Sequence, residues 1–256
     1  FNTSILVDAR GNIVGKYRKI HLPGHVDHLP HAPFQHLEKR YFEVGDLGFQ
    51  TWNAFGGVIG MCICNDRRWP ETFRVLGLQG VELVLLGFNT PTRNIHHDEP
   101  PHLRMFHHHI VTQAAAYQNA TWIVNVAKCG YEDGHHPYGG TSIVAPTGEI
   151  VRTLKLSSAP ILALAFHKCL NLLAVSGEEG IVWVHDLATE QTTVAFETND
   201  VWPQIVQWHP KHSKLAIAAG RGVRLWSTDG RSQPPETEVE STIAGLSWSP
   251  KGDALA

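Results

Sequence analysis

The chain has 256 residues, which is enough for one large domain or two small ones. Its 21 lysines and arginines nearly balance its 24 aspartates and glutamates, which argues against nucleic acid or an anionic membrane surface as the main partner. No apolar run approaches the roughly 20 residues of a membrane span, no signal peptide is visible, and the four cysteines show neither metal-binding nor redox spacing. We therefore expect a cytoplasmic protein without a membrane segment, a metal or another cofactor.

Histidine and tryptophan usage divides the chain near residue 155. Thirteen of the 17 histidines precede this point, and five of the eight tryptophans follow it. We expect one domain over residues 1–156 and a second over residues 157–256. Both ends of the chain fall within apolar, strand-like stretches, which predicts that the sequence is a fragment of a longer protein.

The first predicted elements are a hairpin and a loop that contains histidines. Residues 5–8 and 13–17 predict two strands joined by a glycine turn, and Lys19 follows the second strand. Prolines prevent a continuous helix over residues 23–36, and the four histidines there lack the Cys or carboxylate spacing that would indicate zinc. Lys19 is either solvated or supplies a fixed positive charge to a pocket. Glu38, after the loop, is either solvated or paired with a buried cation.

A cysteine follows the strongly apolar strand in the middle of the first half. Residues 57–63 predict a buried strand, Cys64 ends it, and a helix is predicted to begin at Pro70. A cysteine at a strand end, beside Arg67 and Arg68 and close to a helix N-terminus, is in a position where a thiol loses its proton readily. The alternative is that Cys64 is a small core residue, as many free cysteines are.

A second buried strand, residues 81–87, ends at Asn89 and Thr90, so two strands present polar residues at their ends. In open α/β sheets, binding sites collect outside the strand ends. A helix is predicted over residues 105–118. Its apolar face is predicted at Phe106, Ile110, Ala114 and Tyr117. The remaining predicted strands are residues 122–127 and a strand–turn–strand unit at residues 142–151.

Three motifs of the first half resemble the nitrilase superfamily. They are residues 16–22 (KYRKIHL), 64–71 (CNDRRWPE) and 143–150 (IVAPTGEI), with support from 33–43 (PFQHLEKRYFE) and 117–119 (YQN). Within the superfamily they are most similar to the N-carbamoyl-D-amino-acid amidohydrolases, and the similarity covers roughly the first domain. The resemblance implies an α/β fold, an αββα sandwich, with a Glu-Lys-Cys catalytic set.

The resemblance also implies roles for individual residues. Cys64 matches the family nucleophile, Lys19 the catalytic lysine, and Glu38 a second glutamate that steadies the site. Arg67 and Arg68 would hold the substrate carboxylate, which suits bidentate recognition by guanidinium groups. The residues that would line the substrate pocket are Asn65, Asn89, Thr90, His21 and His36.

The implied reaction is hydrolysis of an N-carbamoyl-D-amino acid to the D-amino acid, CO2 and ammonia. The Cys64 thiolate would attack the carbamoyl carbon, while Lys19 and the backbone N–H of Asn65 would stabilise the oxyanion. In the family the general-base glutamate precedes the lysine, so we expect it upstream of Phe1. Because such a base contributes roughly 10²–10⁴-fold, this chain alone is expected to be inactive. A homo-oligomer that forms through the hydrolase half is also expected.

The second half contains a repeat of about 40 to 42 residues. Residues 165–167 (AFH) recur as 207–210 (QWHP) and 247–250 (SWSP), and residues 180–186 (GIVWVHD) recur as 222–229 (GVRLWSTD). Four short strands per unit at this period indicate propeller blades, and the tryptophan-containing strands resemble the WD repeat. The repeat predicts an all-β partial propeller of about two and a half blades, with a surface suited to a protein partner.

Three interpretations remain open. A hydrolase that carries a propeller predicts a glutamate upstream of the chain and no ammonia release from Cys64→Ala. A binding scaffold with a vestigial hydrolase half predicts partner capture that survives the same substitution. A non-natural join of two unrelated fragments predicts that the chain alone is not a soluble, cooperatively unfolding protein. For the biochemical function, the motifs favour the first.

Overall fold

A computed structural model describes residues 1–32, 35–93, 99–132, 134–152, 159, 161–229 and 233–256. The chain divides into two compact units, Phe1–Leu154 and Lys155–Ala256. The predicted domain boundary at residues 156/157 lies outside the described residues, as do Pro33 and Phe34 of one family motif. None of the described helices is long and apolar enough to cross a membrane.

The first unit begins with an antiparallel hairpin and continues into one mixed sheet. The hairpin strands are β1 (Thr3–Val7) and β2 (Ile13–Arg18). The sheet strands, in spatial order, are β3 (Thr51–Ala54), β4 (Gly57–Ile63), β5 (Leu83–Phe88), β6 (Trp122–Ala127), β7 (Ser142–Val144) and β8 (Ile150–Arg152). Strands β4, β5 and β6 run parallel, and the other neighbours are antiparallel. The C-terminal ends of β4 and β5 therefore lie side by side at one edge.

The described part of the first unit also has three α-helices. They are α1 (Glu38–Tyr41), α2 (Pro70–Leu78) and α3 (Pro101–Asn119). Helix α2 begins at Pro70 as the sequence predicts, because proline at the first helical position needs no N–H partner and already has a helical φ. Helix α3 begins four residues earlier than predicted, again with a proline in its first turn.

The two faces of the mixed sheet pack against different layers. Alternation along β4 places Ile59 and Met61 on one face, where they meet Leu6 and Tyr17 of the hairpin. Cys62 points to the other face, into a core shared with the two longer helices. The buried members of that core are Cys62, Phe73, Leu76, Val81, Val84, Leu86, Phe88, Ala115, Ala116, Ile123 and Val144. Helices, sheet and hairpin form three of the four layers of the predicted αββα sandwich.

The predicted buried face of α3 is wrong. Phe106, Ile110, Ala114 and Tyr117 are all exposed. The buried side chains of this helix are instead Arg104, His108, Thr112, Ala115 and Ala116. Small residues let the helix lie close to the sheet, and its buried polar residues contact Glu99, the Gly140 carbonyl oxygen and the helix's own backbone. An apolar stripe at helical spacing marks one face of a helix, but the spacing alone does not say whether the protein covers it.

In its described residues, the second unit has eight strands in two four-stranded antiparallel sheets. The first sheet has β9 (Ile161–Phe166), β10 (Leu172–Gly177), β11 (Ile181–Asp186) and β12 (Thr192–Glu197). The second has β13 (Pro203–Trp208), β14 (Lys214–Ala219), β15 (Gly222–Ser227) and β16 (Gln233–Glu238). Their shared core contains Leu172, Ala174, Val182, Val184, Phe196, Val206, Trp208, Leu215 and Ile217.

The sequence repeat of this unit corresponds to a repeated set of hydrogen bonds. The indole N–H of Trp208 donates to the carbonyl oxygen of Ala165 at 2.9 Å, and Trp248 donates to Gln207 at 3.2 Å. Nδ1 of His209 accepts two backbone N–H groups, so its proton lies on Nε2, which donates to a carbonyl oxygen at 3.0 Å. The described strands form separate sheets and not a closed ring, so a propeller remains a prediction.

Candidate active site

A cavity of about 400 Å³ lies in the first unit, outside the ends of β4 and β5. Strand ends that share one edge of a parallel sheet are a common position for binding sites. The lining residues are Leu22, Pro23, Gly24, His36, Glu38, Lys39, Cys64, Asn65, Arg67, Arg68, Trp69, Asn89, Thr90, Pro91 and Arg104. Eight of the ten residues predicted for the site are in this set.

Cys64 lies at a sharp turn between strand and helix. It follows β4 directly and begins a 3₁₀ helix, Cys64–Arg68, which leads into α2. Its φ of 49° is in the left-handed region, which a residue with a Cβ adopts at some cost. A strand–turn–helix of this kind presents a nucleophile at the top of a sheet in other hydrolases. The Cys64 side chain is partly exposed, and its Sγ is 3.8 Å from Oγ1 of Thr90.

Lys19 and Glu38 form an ion pair beside the cavity. The Lys19 side chain is fully buried, and its Nζ is 2.6 Å from Oε2 of Glu38. The backbone N–H of Lys19 donates to Asn2, and its carbonyl oxygen accepts from Gly45. A Cβ at Gly45 would lie 2.0 Å from the carbonyl oxygen of Arg18, so only glycine permits this approach. The Lys19 side chain is thus buried and not solvated. Glu38 turns inward and pairs with this buried cation.

The three arginines near Cys64 have different environments. Arg67 is 2% exposed, and its guanidinium donates to the Cys64 carbonyl oxygen, Thr90 and Tyr138. Arg68 is exposed at the cavity wall, where partial burial and the charges of Arg67 and Arg104 lower the pKa of its guanidinium. Arg104 is 5% exposed, forms an ion pair with Glu99 at 3.2 Å, and has a buried Nε that lacks a hydrogen-bond partner among the residues that the structure describes.

Asp66 connects the cysteine turn to the hairpin, a role that the sequence did not reveal. Its carboxylate is fully buried and accepts from the Tyr17 hydroxyl at 2.8 Å and from the Ile63 N–H at 2.9 Å. It also accepts from the backbone N–H of His21 at 2.9 Å and lies 3.0 Å from Nδ1 of the His21 ring. Burial and the negative charge of Asp66 raise the pKa of the Tyr17 hydroxyl, which therefore stays protonated and donates.

The two histidines predicted for the site have different positions. His36 lines the cavity, together with Asn65, Asn89 and Thr90. His21 is not among the lining residues. Its ring stacks on those of Phe49 and Trp69, with centroids 5.9 and 5.4 Å away. Of these ring partners of His21, Trp69 lines the cavity.

Behind Arg67 lies a buried histidine from α3. His108 is 1% exposed and packs against the ring of Phe88 with centroids 4.7 Å apart. Its Nε2 is 3.2 Å from the carbonyl oxygen of Gly140, while its buried Nδ1 has no partner among the described residues. Burial, together with the charge of Arg67, lowers the pKa of His108 to about 3. The ring is neutral at physiological pH.

Sequence reasoning missed Arg104, Tyr138 and His108. The first and last lie on α3, outside the apolar face that the sequence predicts. Tyr138 lies in a loop without periodicity, so no pattern marked it. Within the described residues, no group of three or more His, Cys, Asp or Glu side chains is placed to hold a metal ion.

Comparisons with known proteins indicate the family of the chain. The sequence model of the Carbon-nitrogen hydrolase family matches residues 1–163. An N-carbamoylputrescine amidase of Arabidopsis thaliana is 32% identical over 178 residues, which is 65% of this chain and 54% of that protein. A citrullinase of Francisella tularensis is 36% identical over 85 residues, which is 33% of this chain and 27% of that protein.

Among solved structures, a carbon-nitrogen hydrolase from Helicobacter pylori shares the fold with a TM-score of 0.50 and 24% identity. The match covers 59% of this chain and 52% of that one. The chain spans about half the length of the curated relatives it matches. Because the family match includes every strand and helix of the first unit, the chain belongs to the carbon-nitrogen hydrolase family.

Proposed function

We propose that Cys64 is the nucleophile of a hydrolase that cleaves a carbamoyl C–N bond. The observation that carries the proposal is that Cys64, on its left-handed turn, lines the same cavity as Glu38, which holds the buried Lys19 at 2.6 Å. A thiol, a fixed ammonium and a carboxylate are the groups that acyl transfer requires. The relatives named for N-carbamoylputrescine and citrulline support a carbamoyl compound as the substrate.

The proposed reaction has two stages. The Cys64 thiolate attacks the carbamoyl carbon, and the carbonyl electron pair moves to oxygen, which Lys19 and the Asn65 N–H stabilise. The tetrahedral intermediate collapses, the terminal nitrogen takes a proton and leaves as ammonia, and a thiol ester of the N-substituted carbamate remains. Water then releases the carbamate, which gives CO2 and the free amine. The proton transfers need a general base, which the family resemblance assigns to a further glutamate.

We propose that the substrate carries a carboxylate, as an N-carbamoyl-D-amino acid does. Arg68 is exposed at the cavity wall. Arg104 also lines the cavity, but it is buried and forms an ion pair with Glu99. An exposed guanidinium group favours an anion and disfavours the ammonium group of N-carbamoylputrescine. The carboxylate would bind Arg68, while the carbamoyl group lies at Cys64.

The test is ammonia release from three compounds at equal concentration, measured with the protein purified from its complete gene, which is expected to encode the general-base glutamate. They are an N-carbamoyl-D-amino acid, its L-enantiomer and N-carbamoylputrescine. We expect the D-compound to react fastest, Cys64→Ala to be inactive, and Arg68→Met to raise KM for the carboxylate-bearing substrate. Mass spectrometry of the wild type should detect a substrate adduct on Cys64. A Cys64→Ala variant that retains ammonia release would contradict the proposed nucleophile, and a preference for N-carbamoylputrescine would contradict the proposed anion site.

A further inference from the structure

We propose that Thr90 donates a hydrogen bond to the Cys64 thiolate and that Arg67 orients both residues. This makes Arg67 a positioning residue and not a ligand of the substrate carboxylate. The inference rests on the proposed function only in taking Cys64 as the nucleophile. It assigns to Thr90, which sequence resemblance placed only in the pocket lining, a direct contact with the reacting sulfur.

The guanidinium of Arg67 is already occupied by the protein. One terminal nitrogen donates to the Cys64 carbonyl oxygen at 2.5 Å, and the other donates to Oγ1 of Thr90 at 3.0 Å and to the Tyr138 hydroxyl at 2.6 Å. One face lies over the ring of Phe88, 4.3 Å from its centroid. With 2% of its surface exposed, Arg67 would have to break these contacts to bind a carboxylate. Arg68, the next residue, is exposed at the cavity.

The donor character of Arg67 fixes the direction of the Thr90 hydroxyl. A guanidinium has no acceptor, so Oγ1 of Thr90 must accept from Arg67. The hydroxyl proton is then free to point elsewhere, and Sγ of Cys64 lies 3.8 Å away, within the longer range of hydrogen bonds to sulfur. Thr90 is itself held, since its carbonyl oxygen accepts the Tyr138 N–H at 3.1 Å. Loss of the thiol proton makes sulfur a stronger acceptor, so this hydrogen bond favours the thiolate.

The contact of Arg67 with the Cys64 carbonyl oxygen has a second effect. Cys64 has a φ of 49°, a conformation that is stable only when its surroundings impose it. The hydrogen bond from Arg67 fixes the peptide group that follows Cys64, and so helps to fix the turn. The same side chain thus holds both the sulfur-bearing residue and the hydroxyl that faces it.

The test measures the alkylation rate of Cys64 by iodoacetamide in the free protein between pH 6 and 10. Cys62 and Cys64 lie in one tryptic peptide, residues 41–67, so molecules with one label are distinguished from those with two. Because Cys62 is fully buried and burial raises the pKa of its thiol, its labelling reports unfolded molecules. The rate at Cys64 is read only from singly labelled peptides, and the exposed Cys169 provides an internal reference.

Thr90→Val, which keeps the shape and removes the hydroxyl, should slow Cys64 alkylation at pH 7 about tenfold. The pH at which the alkylation rate is half-maximal should also rise. Thr90→Ser keeps the hydroxyl, so its alkylation rate and its half-maximal pH should match those of the wild type. Arg67→Lys keeps the charge but cannot reach three acceptors at once, so it should also slow alkylation. The matched control is Arg74→Lys on the exposed side of α2, where no change is expected.

The inference is overturned if Thr90→Val alkylates at the wild-type rate with an unchanged pH profile. An equally slow alkylation of Cys64 in Thr90→Ser would also overturn the inference, since the effect would then not depend on the hydroxyl. Alkylation needs no substrate turnover. If the protein releases no ammonia but Thr90→Val still slows alkylation, the proposed function fails and this inference stands. If the protein releases ammonia but Thr90→Val alkylates at the wild-type rate, only this inference is rejected.

Discussion

At the scale of single residues, one buried carboxylate joins two parts of the chain that are almost 50 residues apart. Asp66 accepts hydrogen bonds from Tyr17 in the hairpin, from His21 after it and from Ile63 before the cysteine turn. Each donor points at a negative charge that burial removes from water, so losing that charge leaves several donors poorly paired. Cys64, two residues away, depends on this anchor for its position.

Asp66→Asn is expected to destabilise the first unit by about 3 kcal/mol, because an amide nitrogen would replace an accepting oxygen among four donors. Pulse proteolysis in urea, with fragments assigned by mass spectrometry, measures this change for the first unit. Asp46→Asn is the control, since Asp46 forms an exposed ion pair with Arg18 and should have little effect. Equal stability of Asp66→Asn and wild type would show that the network does not anchor the turn.

His108 should make the first unit less stable in acid. Its folded pKa is lowered to about 3 by burial and by Arg67, against about 6.5 in the unfolded chain. Above pH 6.5 the ring is neutral in both states, so stability is unaffected. Below pH 6.5 the unfolded chain binds a proton that the folded unit does not bind, so the free energy of unfolding falls by about 1.4 kcal/mol per pH unit until pH approaches 3.

The measurement for His108 is the free energy of unfolding between pH 4 and pH 7, compared with His108→Gln. The glutamine amide can still donate to Gly140 but does not titrate in this range. The wild type should lose stability relative to the variant as pH decreases below 6.5. Parallel pH curves for the two proteins would contradict the assignment.

At the scale of elements, α3 turns its polar and small residues inward and its large apolar residues outward. Ala115 and Ala116 belong to the core, whereas Ile110 is 49% and Tyr117 is 69% exposed. Stability of this helix should therefore depend on the absence of bulk on its inner face, and not on the apolar stripe.

Ala116→Leu is expected to destabilise the first unit by about 2 kcal/mol, because Ala116 is fully buried and the core has no room for three more carbons. Ile110→Gln on the exposed face should change the stability by less than about 0.5 kcal/mol. Urea denaturation of both variants checks the pair. The reverse order would mean that the apolar stripe, and not the alanine face, is the buried one.

Local pattern predicted the elements better than it predicted their surroundings. The apolar run before Cys64 predicted β4 to the residue, and polar residues after two strands predicted the edge where the cavity lies. The contact of Lys19 with Glu38 depends on how a 19-residue segment closes, which no local pattern encodes. The different environments of Arg67 and Arg68 arise because successive residues of a 3₁₀ helix point about 120° apart. The sequence shows that the two arginines are adjacent but not that their side chains point in different directions, so it predicted that both hold the substrate carboxylate.

At the scale of the whole molecule, each unit has a core made only from its own residues. Two clusters belong to the first unit and one to the second. In the second unit, His209 packs on Trp248 with ring centroids 4.8 Å apart and accepts two backbone N–H groups. Such contacts should stabilise the second unit alone.

His209→Ala is expected to lower the free energy of unfolding of the second unit by about 2 kcal/mol, since two backbone donors lose their acceptor. Pulse proteolysis separates fragments of the two units, and the first unit should show no change. Lys211→Ala is the matched control, because its side chain is exposed. Equal destabilisation of both units by His209→Ala would show that they unfold as one.

The left-handed turn at Cys64 lowers the stability of the fold while it presents the thiol to the cavity. Glycine is the residue that a φ of 49° favours, and a cysteine there costs the fold free energy. In a lineage that no longer needs the thiol, replacement by glycine would relieve this backbone strain and lose only the contact of the side chain with the core. Retention of cysteine at such a position over evolutionary time is thus a physical marker of selection for the reaction.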